Sequence, residues 1–203
     1  MKFLPTTKEE MKSLGWDSID VLLISGDTYL DTSYNGSALV GKWLVEHGFK
    51  VGIIAQPEVD VPDDITRLGE PNLFFAISGG CVDSMVANYT ATKKRRQQDD
   101  FTPGGENNKR PDRAVLVYSN MIRRFFKGTT KKIVISGIES SLRRITHYDY
   151  WTNKLRKPIL FDAKADILSY GMGEMSMLQL ANALKNGEDW QNIRGLCYLS
   201  KEP

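Results

Sequence analysis

Four short turns carry the residue types from which a binding edge is built. They read GDTYLDTSYNG over 26–36, SGGCVDS over 78–84, GIESSLRR over 137–144 and GMGE over 171–174. Each follows an apolar, β-rich run. Glycine lets a backbone approach a ligand closely, and small hydroxyls beside free helix N–H groups suit polar or anionic groups. The candidate binding residues are Asp27, Asp31, Gly36, Gly79, Gly80, Gly137, Glu139, Ser140, Ser141, Gly171, Gly173 and Glu174. A plain tight turn would use the same glycines with no ligand. None of the four matches G-x-G-x-x-G or G-x-x-x-x-G-K-[ST], so dinucleotide and P-loop readings lose support.

A second cluster is cationic and aromatic. Arg143, Arg144, His147, Tyr148, Tyr150, Trp151, Lys154 and Arg156 fall within one stretch, with Lys157 beside them. Arginines and aromatic rings together hold phosphates and stack bases. The same set also suits a solvated loop, or a surface covered by another domain. His147 with Asp149 has the types of a base and its orienter, but their spacing in an irregular stretch fixes no geometry. Cys81 follows a strand, where a nucleophile could sit, yet no histidine partner is indicated. Cys197 and His47 read as structural, and no catalytic residue is assigned. Two Cys and two His in 203 residues give no metal-site spacing. The run Lys93 to Arg96 is followed by Gln97 to Asp100 and reads as a locally neutralised, charged helix end.

The elements that must position these turns alternate. Apolar runs lie at 20–26, 49–55, 73–78, 114–119, 132–137, 167–170 and 195–200. Continuous apolar runs of this length fit strands covered on both faces, as in a parallel sheet. Between them, Val40, Trp43, Leu44 and His47 follow helical spacing and stop at Gly48. Met177, Leu180, Ala181 and Leu184 repeat it and stop at Gly187. Shorter helices are predicted around Met85 to Tyr89 and around Ile122 to Phe126, the latter with Asn120 as cap. Thr6 or Thr7 caps a lead-in helix within 1–18. Residues 93–112 and 139–165 fit no clean element and read as long loops. The expectation is one α/β domain over 1–203, flavodoxin-like and doubly wound, with a mainly parallel sheet and helices on both faces. The chain stops just after a strand-like run and reads as cut there.

Composition excludes little beyond this. Lys plus Arg is 27 against 25 Asp plus Glu, a net of +2, so no global charge argument for nucleic acid arises. No apolar run approaches the ~20 residues of a membrane span, and the polar N-terminus is no secretory signal. With no disulfide framework, a cytoplasmic protein is expected.

Long phrases of the chain resemble the N-terminus of YgiQ-type radical-SAM proteins. They are FLPTTKEEMKSLGWDSIDVLLISGDTYLD, ALVGKWLVEHGFKVGIIAQP, DSMVANYTATKKRRQQDDFTPGG, RPDRAVLVYSNMIRR, GIESSLRRITHYDYW and KADILSYGMGE. The resemblance implies a domain similar to the cobalamin-binding α/β domains that precede many radical-SAM cores. It also implies that the parent protein holds a [4Fe–4S] cluster and S-adenosylmethionine through a CxxxCxxC motif. This chain lacks that motif, so the core is expected outside it and no catalysis is expected of the chain alone. The cobalt-ligating motif DxHxxG of base-off cobalamin domains corresponds here to residues 31–36, DTSYNG, with Ser33 in place of the histidine. A histidine-ligated cobalt is thereby excluded, while binding without a protein ligand stays open. Three functions follow: an accessory domain docking on or capping the radical-SAM core, with the 139–157 segment as the contact; a cobalamin or nucleotide binding module across the four turns; and an RNA-contacting module using the cationic cluster.

Overall fold

The computed structural model describes residues 3–30 and 36–200. Helix α1 (Lys8–Ser13) opens the fold, with Thr7 as its cap. The Thr7 hydroxyl accepts the Glu10 N–H at 3.3 Å, while the Glu10 carboxylate takes the Thr7 N–H. Two donors at the helix start are thus satisfied by each other's residues.

Strands β1 (Val21–Ser25), β2 (Val51–Ala55), β3 (Phe74–Ser78) and β4 (Lys132–Ser136) are parallel. A two-stranded hairpin, β5 (His147–Asp149) and β6 (Lys154–Arg156), stands apart from them. Strand β7 (Ile167–Ser169) rejoins the sheet in parallel, and β8 (Leu196–Tyr198) closes its edge antiparallel. The order is β2-β1-β3-β4-β7-β8. The first connection leaves β1 on one side and the next strand arrives on the other, so strand order reverses between β1 and β3. Crevices at such a reversal form beyond the carboxyl ends of the strands.

The strands carry unbroken apolar runs because helices cover both faces. One core layer joins Leu22, Ile24, Phe75, Ile77 and Ile135 to Met11 of α1, Ile65 of α3 (Pro62–Thr66), Tyr118 and Ile122 of α5 (Ala114–Phe125), and Ile159 of α7 (Ile159–Ala163). The other joins Val21, Leu23, Phe74 and Val134 to Leu44 of α2 (Gly36–Glu46) and to Met177, Leu180 and Ala181 of α8 (Glu174–Asn186). Successive strand residues alternate between the two layers, as a pleated strand requires. The doubly wound expectation holds. Among the described residues, no helix is long and apolar enough to cross a membrane.

Several local expectations are corrected. Residues 114–119 are not a strand; they open α5, which runs on through Phe125. The six-residue run AVLVYS looks β-like, but its buried positions 114, 115, 118, 121 and 122 follow a helical stripe. Asn120 therefore sits mid-helix and exposed rather than capping. Residues 139–165 are not one loop. They hold the end of α6 (Gly137–Leu142), the β5–β6 hairpin and α7. The run at 93–96 is no helix end, since α4 (Ser84–Asn88) stops earlier. Its charges are met at a distance: Arg95 lies 3.7 Å from Asp112, and Arg96 donates to the Val86 and Tyr89 carbonyls. His47 is exposed, past the end of α2.

Candidate functional site

Parallel register aligns the last residues of three strands. Ser25 stands opposite Ser78, and Ser78 opposite Ser136. This row of hydroxyls crosses the reversal between β1 and β3 and edges a cavity of about 350 Å³. The floor is apolar, from Leu23, Ala76, Val40 and Met177. The rim carries Asp27, Gly36, Ser37, Gly80, Cys81, Gly137, Ile138 and residues 171–174.

The turns take their shape from what they must clear. Gly80 has φ +115°, and a Cβ there would overlap Asp27 Oδ1 and Arg110 Nη1. Gly137 has φ +81°, and a Cβ would press on Ser78 Oγ. At these two positions glycine is required by both backbone and space. By contrast, an added Cβ at Gly36 or Gly171 would meet nothing within 4 Å.

Beneath Asp27 lies an ion network that no local sequence pattern announces. The Arg110 guanidinium, fully buried, reaches Asp27 at 2.8 Å and Asp99 at 3.2 Å, and donates to the Gly79 carbonyl at 3.3 Å. Asp27 also accepts the Cys81 N–H at 2.6 Å. Burial pushes the Asp27 carboxyl up, and the Arg110 charge pulls it partly back. Burial, then the neighbouring Asp27 charge, push the Cys81 thiol up to about 12, which disfavours the thiolate a nucleophile would need. Gln56 adds a second tie, donating to the Gly26 carbonyl at 3.0 Å and the Thr102 hydroxyl at 2.7 Å. The 93–112 loop is thus fastened to the strand ends at two points. Pairing over such a distance in the chain leaves no local signal; an Arg in a Gly/Pro-rich loop is ordinarily exposed.

The candidate binding residues separate into two groups. Asp27, Gly36, Gly80, Gly137, Gly171, Gly173 and Glu174 line the cavity. Gly79, Glu139, Ser140 and Ser141 lie behind it. Glu139 is buried; its carboxyl is pushed up by burial and then by Asp83, and it accepts the Ser84 N–H at 3.0 Å. Ser140 is buried, and Ser141 accepts the Gly171 N–H at 3.2 Å. Asp31, with Ser33 of the motif at 31–36, lies outside the described residues.

The cationic cluster is largely committed to its own structure. Arg143 pairs with Asp83, and Arg156 with Asp162 at 2.8 Å. Arg144 sits over the Tyr170 ring. Asp149 takes Arg113 at 2.7 Å and the Thr152 hydroxyl. Burial raises its carboxyl, but those bonds outweigh burial and bring it down to about 2. His147 Nδ1 faces the Ile145 carbonyl at 3.1 Å and does not bond Asp149. Tyr150 and Trp151 stack edge to face at 5.4 Å, with Lys93 over the Tyr150 ring. Tyr148 and Lys154 are exposed on the hairpin. Among the described residues no group of His, Cys, Asp or Glu could hold a metal ion, and neither histidine lines the cavity.

The reversed strand order, the serine row and the glycine-rimmed cavity define a flavodoxin-like α/β domain with a ligand-type crevice at its switch point. The chain belongs to the Radical SAM N-terminal family, whose model matches residues 3–203. It is 97% identical over 202 residues to a UPF0313 protein of Fusobacterium nucleatum, covering 100% of this chain and 36% of that protein. A UPF0313 protein of Thermotoga petrophila is 55% identical over 203 residues, with 98% and 35% covered. The chain therefore spans about a third of the length of these relatives. Among solved structures it is similar to a radical S-adenosylmethionine methyltransferase, TsrM, from Kitasatospora setae. With cobalamin and a [4Fe-4S] cluster bound, that structure matches at TM-score 0.59 and 16% identity over 91% of this chain and 28% of that one. With tryptophan substrate and a SAM analog, TsrM matches at TM-score 0.58 and 16% identity over 89% and 28%. At that identity the likeness is one of fold.

Proposed function

We propose that this chain is the accessory domain of a radical-SAM protein and packs the carboxyl edge of its sheet against the radical-SAM core. The observation that carries this is an apolar collar around the cavity mouth. Met172 is 85% exposed, and Ile138, Leu142, Tyr170, Met175 and Leu39 are exposed with it. Ile138 and Met172 line the cavity itself. Ile138 and Leu142 lie one turn apart on α6, and the Ser141–Gly171 bond joins α6 to the 170–172 turn that leads into Met175. Leu39 stands on α2 beside Val40, which lines the same cavity. Contiguous exposed apolar residues of this kind mark a covered surface. The occupant is argued from length, since the relatives extend about twice as far again as this chain. The [4Fe–4S] cluster and S-adenosylmethionine belong to that remainder in this reading, because the chain's only cysteines are Cys81 and Cys197. The contact predicted from sequence at 139–157 shares Leu142 with this collar, but two of its arginines, Arg143 and Arg156, are ion-paired within the domain. That pairing favours docking over RNA contact.

Co-expression tests the reading. The chain and the remaining two thirds of the Fusobacterium relative, made as separate polypeptides, should co-purify. Leu142→Asp with Met172→Asp should abolish the complex while changing the domain's own stability by no more than ~0.5 kcal/mol, as exposed sites do. A complex unaffected by both changes would place the core elsewhere.

A second reading rests on the cavity itself. A corrinoid's nucleotide arm would be held in it by Val40, Met177 and the serine row. A bound corrinoid supplies a cobalt centre able to carry an alkyl group. The domain's residues would fix the arm and leave cobalt without a protein histidine. Hydroxocobalamin should then give a saturable thermal shift, and corrin absorbance should co-elute on desalting. Neither effect at high ligand would remove this reading and leave docking intact.

A further inference from the structure

Two chain tips lying 58 residues apart in sequence meet on the surface. One is the turn at 90–94, closed by the Thr90 N–H donating to the Lys94 carbonyl at 2.8 Å. The other is the end of the β5–β6 hairpin, residues 150–153. Lys93 Nζ donates to the Trp151 carbonyl at 3.3 Å, and the Tyr150 hydroxyl donates to the Ala91 carbonyl at 2.7 Å. The junction gathers three rings, with Trp151 lying 5.4 Å from both Tyr89 and Tyr150. Tyr150 is exposed and Trp151 half-buried. Charge at this junction is one-sided. Asp112 accepts the Tyr89 hydroxyl at 2.7 Å and lies 3.7 Å from Arg95, while Asp149 is buried against Arg113. Lys93, Lys94 and Lys154 are exposed, with no carboxylate at ion-pair distance among the described residues.

We infer that this junction binds single-stranded nucleic acid, with phosphates on the three lysines and a base against the Tyr150–Trp151 pair. Lysines on two separate tips can follow a phosphate backbone, and an open ring pair offers its surface to an unpaired base of any sequence. An acidic peptide would meet the lysines but leave the rings unused. Insertion into a bilayer needs apolar side chains that project past the lysines, whereas Trp151 is held back between Tyr89 and Tyr150. The ion-paired Arg143 and Arg156 take no part. None of the residues at this junction lines the cavity or belongs to the apolar collar, so the inference does not depend on docking.

The test is fluorescence anisotropy of the chain with labelled oligo-U and oligo-dT of about 12 nucleotides, over about 50 to 200 mM salt. At least one strand should bind saturably, with a log–log salt slope of about −2 for three phosphates, and the tighter of the two tells RNA from DNA. Lys94→Gln with Lys154→Gln, whose side chains bond nothing in the domain among the described residues, should weaken binding about tenfold and flatten the slope by about one unit. Binding should also quench tryptophan fluorescence, and Trp151→Phe should remove that quench. No binding at low salt, a double variant that binds like the parent, or a quench untouched by Trp151→Phe would overturn the inference. Polyglutamate or phosphatidylglycerol vesicles binding as tightly as the oligonucleotides would overturn it too, marking the junction as a protein or membrane contact.

Discussion

Arg110→Met should cost about 3–5 kcal/mol of folding stability at neutral pH, and the loss should shrink as pH falls. The Arg110 side chain is fully buried between Asp27 and Asp99, both of them buried as well. A buried pair is weak evidence for stability as a whole, because desolvation offsets much of its attraction. Removing one partner is different, since the charges left behind keep their desolvation cost and lose their compensation. The sign with pH follows from Asp27. Burial already raises its folded-state pKa above the unfolded value, and Arg110 is what lowers it. Without Arg110 the folded value rises further. A carboxyl raised by folding destabilises the protein fully above that folded value, and the penalty lifts as pH falls through it toward the unfolded ~3.9. Urea unfolding at pH 7.5 and 5.0 should therefore show the larger deficit at pH 7.5. Adding Asp27→Asn and Asp99→Asn to Arg110→Met should recover part of it. A loss below ~1 kcal/mol, or one independent of pH, would show that the loop is held by Gln56 and its neighbours instead.

How much of this was legible depended on whether the signal was local. The strands at 21–25, 51–55, 74–78 and 132–136 announce themselves because both faces are covered, which leaves no polar alternation to confuse the reading. The caps at Thr7 and Gly187 are also local, set by one hydroxyl and one left-handed residue. The misreading at 114–119 came from window length. Over six residues a helix buried on most sides and a strand have the same composition, and only the continuation to Phe125 reveals the 3.6-residue period. The hairpin at 147–156 was hidden because its residues are chosen for tertiary partners. Asp149 serves Arg113, and Tyr150 serves the Ala91 carbonyl. For the site, glycines marked the turns correctly as turns, while nothing in 137–144 separated Gly137 at the cavity from Glu139 behind it. That distinction comes from α6 starting at Gly137, which turns successive residues to different sides. Ser25, Ser78 and Ser136 each ended a predicted strand, but their alignment required the register.

Gly26→Ala should be far more damaging than Gly171→Ala, although Gly26 has no left-handed backbone to protect. A Cβ at Gly26 would land on the Gly79 carbonyl, with the Gly79 carbonyl carbon behind it. Those are backbone atoms of the neighbouring turn, and they cannot swing aside as a flexible side chain would. The same two turns are joined by the Gly26 N–H donating to the Ser78 carbonyl at 2.9 Å and by Arg110 donating to the Gly79 carbonyl. Relief of the overlap must therefore pry β1 from β3 at the strand reversal, breaking ladder and ion network together. A cost of ~3 kcal/mol or more is expected, at the upper end for overpacking. Gly171→Ala is the matched comparison. Gly171 has φ +72° with open space around it, so alanine there should cost only the ~1 kcal/mol of a left-handed conformation. Thermal and urea unfolding of the two variants separate crowding from backbone preference. Equal effects would mean that the β1 and β3 turns have room to part. The serine row would then be an adjustable edge instead of a fixed one.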